Sequence, residues 1–160
     1  MSEATGIAWT EASPGLSEAV LRDSLESFAY VRLRVTGDCM TPVLVPGDVV
    51  RIAGVAARPP RLRDVVLVWA PAGPLLHRLV WGPPLARGTW RTKADRAALW
   101  DARVAPRDVL GTIIAVERAG SGTPQALTGG LGAGLSSLLG GVLFLGRETL
   151  SKRGRCNPSR

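Results

Sequence analysis

The sequence predicts a mainly β protein, a partly closed antiparallel barrel-like core with one helix before it and one apolar helix after it. Three observations point there. The 160 residues include nineteen glycines and twelve prolines but few aromatics, a composition of many turns and short strands. Short β-branched runs with period-2 alternation crowd residues 31–118. Helical spacing is confined to the two flanks. The chain therefore divides into residues 1–30, 31–120 and 121–160, and it is long enough for one domain with a substantial core.

The first segment reads as a loop and then a helix. In "SPGLSEAVLRDSLESFAY", Ser13 is placed to cap and Pro14 to occupy the first helical position. Leu16, Val20, Leu21 and Leu25 fall on one face. The segment lacks a basic start followed by a long apolar stretch, so no N-terminal signal peptide is expected.

From residue 31 the period changes. "YVRLRV" sets Val31, Leu33 and Val35 against Arg32 and Arg34, the pattern of a half-buried strand. "DVVRIAGV", "RDVVLVWA", "GPLLHRLVWG", "GTWRTKAD" and "DVLGTIIAVER" follow, bounded by Gly and Pro. Five or six such strands without helices between them form an antiparallel unit.

The last segment is different. No charged residue stands between Arg118 and Arg147, and residues 126–146 carry Leu127, Leu131, Leu135, Leu138, Val142 and Leu145 as a helical stripe. Gly130, Gly134 and Gly132, Ser136, Gly140 supply small residues at the spacing that lets membrane helices approach closely. Twenty-one residues just span a hydrocarbon core of about 30 Å. The segment is read as a contact to a membrane or a partner helix, with a docked Gly-rich tail as the alternative, and it makes the chain membrane-associated. The side on which the body lies is left open: a body without a signal peptide stays cytoplasmic, while the basic flank Arg147, Lys152, Arg153, Arg155 would leave it outside.

The charge is uneven. Residues 1–30 carry five acids and one base, residues 31–120 fourteen bases and seven acids, and residues 121–160 five bases and one acid. A basic body suits an anionic partner, yet no basic run with interleaved aromatics supports nucleic-acid binding, and none is expected. Two cysteines, Cys39 and Cys156, make no disulfide framework. Cys156 is read as an idle thiol, with lipidation as the alternative. No metal or cofactor is expected.

The chemistry centres on "VTGDCMTPVLVPGDVV". Cys39 follows the Gly37-Asp38 pair, between two strand-like runs. It is either a packing residue or a nucleophile, and a thiol attacks well only as a thiolate beside a base or positive field. His77, the single histidine, is the one imidazole that could serve as base, or else a core residue. A carboxylate fixing its tautomer would come from Asp95 or Asp101 in "TKADRAALWD".

These residues carry a resemblance. "GDCMTPVLVPGDVV" resembles the nucleophile box of the type I signal peptidase and LexA-like serine peptidases, Gly-x-Ser-Met-x-Pro-x-Leu followed by Gly-Asp. Gly37, Met40, Pro42, Leu44, Gly47 and Asp48 match it, with Cys39 at the Ser position. "RLRDVVLVW" resembles the next box, with Arg63 where Gly is usual. "LLHRLV" resembles the His-type base box, "RTKADRAALWD" the Thr-Lys-Gly-Asp-Asn box with Ala94 for Gly, and "APRDVLGTIIAVER" the closing strand. The match runs over residues 31–118 in the family's order.

The resemblance implies a signal-peptidase core that hydrolyses a peptide or preprotein substrate through Cys39, His77 and Asp101. Asp95 would support the backbone of the site, and the Cys39 N–H at the Gly37-Asp38 turn would be an oxyanion donor. Two other functions stay open: a catalytically silent relative that binds peptides or partners, and a cytoplasmic LexA-like self-cleaving or leader-processing peptidase. His in place of Lys and the lack of a DNA-binding domain weigh against the second of these.

Overall fold

A computed structural model describes residues 7–10, 16–82, 88–121 and 123–127. Its elements are β1 (Ile7–Thr10), α1 (Glu18–Ser27), β2 (Val31–Arg34), β3 (Val49–Gly54), β4 (Val65–Ala70), β5 (Gly73–Trp81), β6 (Trp90–Lys93), β7 (Arg103–Val104), β8 (Val109–Glu117) and β9 (Pro124–Ala126). A 3-10 turn, Pro106–Asp108, leads into β8.

Alternation makes the strands. In β2, Val31 and Leu33 are buried while Arg32 is half-buried and Arg34 exposed, as the sequence predicts. One sheet runs β1-β2-β3-β8-β4-β5-β6-β7, with β9 beside β8. Every pairing is antiparallel except β1 with β2, which is parallel. The expected partial closure is corrected: the path ends at β1 and β7, and among the described residues no ladder joins those edges. Bulges at Arg51/Ile52 and Leu67/Val68 bend the centre of the sheet instead.

The helix starts later than the sequence predicts. Its cap is Ser17, whose hydroxyl accepts from Val20 N at 3.3 Å, with Glu18 in the first turn. Ser13 and Pro14 lie outside the described residues. Leu21 and Leu25 are buried, but Val20 is 36% exposed and Ser24 takes its place on the inner face. Ser24 manages this by donating its hydroxyl to Val20 O at 2.7 Å.

Two clusters form the core. The larger gathers α1, β2, β3 and the inward residues of β4, β5 and β8; the smaller holds Val66, Val68, Leu79, Trp90 and Val109. Backbone meets backbone at Gly111, where a Cβ would stand 2.5 Å from Ala53 O. Only glycine fits where β8 crosses β3 so closely.

Of residues 126–146, only Ala126 and Leu127 are described: Ala126 ends β9 and Leu127 packs on the larger cluster. The expected apolar helix otherwise lies outside the described residues, as does Cys156. Among the described residues no helix is long and apolar enough to cross a membrane.

Candidate active site

The Cys39 loop joins β2 to β3. It closes on itself through Val35 N to Asp48 O and Gly47 N to Val35 O, both 2.8 Å. Met40 and Leu44 plunge into the larger cluster and anchor the segment from below. Asp48 is fully buried and accepts from Val45 N, Ala119 N and the Arg118 guanidinium at 3.1, 3.2 and 2.7 Å. Burial alone would raise its pKa, but these donors outweigh it and hold the carboxyl below its ordinary range. The loop is thus fastened to the end of β8 at a charged, saturated junction.

Cys39 itself is half-buried and rests against the larger cluster. Gly37 leaves room beside its sulfur: a Cβ there would lie 4.0 Å from Sγ. The carbonyl of Cys39 accepts from Arg96 N at 3.0 Å, and the Arg96 guanidinium pairs with Asp38. Two links therefore tie the Cys39 segment to the turn that follows β6.

His77 sits in the middle of β5, opposite Val66 of β4, and is 5% exposed. Its Nδ1 lies 2.5 Å from Asp101 Oδ2. The same oxygen accepts from Thr92 Oγ1 at 2.6 Å, while Asp101 N donates to Thr92 O at 2.8 Å. Burial pushes the Asp101 pKa up, but the bonds from His77 and Thr92 and the attraction to His77 bring it below the ordinary value. An ionised carboxylate only accepts, so the proton of the neutral ring belongs on Nδ1 and Nε2 is left as an acceptor. Nε2 is buried and has no hydrogen-bond partner among the described residues. A buried, unpaired nitrogen is costly in a finished fold; Arg32 Nε and Trp90 Nε1 share that state, but only His77 Nε2 can accept a proton.

Asp95 faces elsewhere. It receives a bidentate pair from Arg78, at 2.8 and 2.7 Å, and both side chains are about nine-tenths buried. Successive residues of a strand point to opposite sides, so Arg78 and His77 take different carboxylates. The Arg78–Asp95 pair braces the turn in which Ala97 N bonds Ala94 O, and from that turn Arg96 reaches Cys39. Arg78 also donates to Arg63 O at 2.7 Å. In the sequence Asp38 appears only as part of the Gly37-Asp38 turn and Thr92 only as the Thr of its box; Arg78 and Arg96 are marked by nothing but their place beside His77 and Asp95.

No family model, curated protein or solved structure matches the chain. Among the described residues, no group of three or more His, Cys, Asp or Glu is placed to hold a metal ion.

Proposed function

We propose that the chain is a signal-peptidase-like endopeptidase acting on an exported or leader peptide, with Cys39 as nucleophile, His77 as base and Asp101 as its orienting acid. The single observation that carries this is the His77 ring, held by Asp101 at Nδ1, with a buried Nε2 that has no hydrogen-bond partner among the described residues. The antiparallel sheet supports the finer reading of a signal-peptidase core.

In this mechanism Nε2 takes the Cys39 thiol proton as sulfur adds to the scissile carbonyl. The oxyanion accepts from the Cys39 N–H beside Gly37, a donor of the kind that contributes about 10²–10³ in rate. The C–N bond then breaks and the His77 imidazolium gives its proton to the departing amine. Water, deprotonated by His77, hydrolyses the thioester and restores the thiol. Asp101 stays ionised throughout and stabilises the imidazolium. Asp95 acts on the backbone, through Arg78 and the Arg96 turn. Residues 126–146 would hold the enzyme at a membrane.

The test is the pH dependence of Cys39 alkylation in a Cys156→Ser background, with and without His77→Ala. A thiol titrating well below about 8.5, and returning there without His77, supports the dyad. An unreactive thiol, or one that titrates alike in both proteins, defeats it. One observation favours a silent, peptide-binding relative instead: Cys39 rests against the apolar core, as a packing residue does. The same titration separates the two.

A further inference from the structure

The outer side of β5, β6 and β7 carries a surface unrelated to Cys39. A bulge between Leu79 and Trp81 shifts the register, so that Leu79 pairs with Thr92 and is buried while Trp81 pairs with Arg91 and is 61% exposed. Such a bulge re-aims a side chain. Arg91 in turn pairs with the exposed Arg103 of β7, and directly opposed residues share a face. From the loop after β6, Trp100 stacks on the Arg91 guanidinium, 5.9 Å from ring centroid to Cζ. Trp100 is 42% exposed and its neighbour Leu99 74% exposed. Half of the large exposed apolar side chains among the described residues thus gather around two arginines. The acid next in the chain, Asp101, is turned away onto His77 and Thr92.

We propose that Trp81, Leu99 and Trp100, with Arg91 and Arg103, form a docking surface for an anionic lipid bilayer. Indole rings settle at headgroup depth, where one end is apolar and the other wet. Arginines among them meet lipid phosphates, and the chain's net charge of +7 draws it to such a surface. Asp101, the acid next to Trp100, bonds His77 and Thr92 instead of Arg91. The apolar contact and the charge contact are held by one stacked pair, Trp100 on Arg91, before any lipid arrives. This surface stands independently of the peptidase reading, and Cys39→Ala leaves it unchanged.

The test uses the full chain with vesicles of phosphatidylcholine containing one part in three phosphatidylglycerol, and with phosphatidylcholine alone. Because residues 126–146 can themselves carry the chain to a bilayer, the readout is local: quenching of Trp fluorescence by brominated phosphatidylcholine. The expected result is quenching on anionic vesicles that falls by more than half in W81F/W100F. Removing both charges in R91Q/R103Q should weaken partitioning at low salt by about 25-fold, roughly fivefold for each Arg. Undiminished quenching in W81F/W100F overturns the proposal. So does lipid quenching that ignores both R91Q/R103Q and the anionic lipid. Binding of the face to an acidic peptide, with no lipid quenching, overturns it in favour of a protein partner.

Discussion

Asp101 Oδ2 accepts two hydrogen bonds at once, from His77 Nδ1 at 2.5 Å and from Thr92 Oγ1 at 2.6 Å. Each donor fixes the carboxylate for the other. Asp101→Asn retains the volume but lets the ring exchange tautomers. The expected outcome is a Cys39 thiol that titrates like a free one, near 8.5. Any peptidase activity should fall by as much as about 10⁴-fold, the effect of the same change in a serine triad. Thr92→Val should do the same more weakly, and alkylation kinetics and peptide cleavage measure both.

The Arg78–Asp95 pair is a buried ion pair that holds a turn. Asp95→Ala strands the guanidinium and should cost about 3–5 kcal/mol in urea unfolding. Arg78→Lys loses the planar fork and should also destabilise the fold. In either variant the Arg96 link to the Cys39 carbonyl loosens, so alkylation of Cys39 should change while the His77–Asp101 pair persists.

Three carboxyls, Asp48, Asp101 and Glu117, lie below their ordinary pKa in the fold. For Glu117, burial raises the value and the Arg51 and Arg32 contacts outweigh it. A depressed carboxyl favours the folded chain once the unfolded group is ionised. Its contribution is therefore complete above about pH 4–4.5 and drains as pH falls toward the folded values. Urea midpoints should stay level with respect to these groups between pH 5 and 7 and drop steadily below about 4. Asp48→Asn should reduce that acid slope.

Arg63 occupies the left-handed region, with φ of 75°. It does so inside the turn closed by Asp64 N on Arg61 O at 3.0 Å, and its own N–H reaches Leu79 O at 2.8 Å. A side chain there is strained by about 1–2 kcal/mol, part of which glycine's greater unfolded freedom cancels. Arg63→Gly should raise stability by about 1 kcal/mol and the Tm by about 3 °C. Gly111→Ala should do the reverse by about 2–3 kcal/mol, because a Cβ meets the Ala53 carbonyl.

β2 was legible from alternation, and β4 and β8 from short β-branched apolar runs whose residues are buried in succession. β1, β7 and β9 were not. β7 is two residues long and β9 is the exposed Pro124–Ala126, so neither has a period of its own, and partner ladders alone define them. Whether the sheet closes was hidden as well, because alternation within a strand says nothing about which distant edges meet. Val20 was misplaced because Ser24 can satisfy its hydroxyl internally and so take an inward position. At the site, residue types and spacing alone left Asp95 and Asp101 open, and only the family resemblance assigned Asp101 to His77. Which of Asp95 and Asp101 meets the imidazole depends on the side of β5 that each approaches. Only three-dimensional register reveals that His77 and Arg78 divide them.

β8 pairs with β3, β4 and β9, and lies far along the chain from the first two. During synthesis, residues 31–108 leave the ribosome before the strand that unites their two halves exists. The β2–β3 hairpin and the β4–β5–β6 meander must wait as separate pieces with open edges, so assembly is slow and exposed to misassociation. β8 is then the strand whose amides should exchange most slowly in the finished protein. A nascent chain halted before residue 109 would hold Cys39 and His77 on pieces that have not yet been joined.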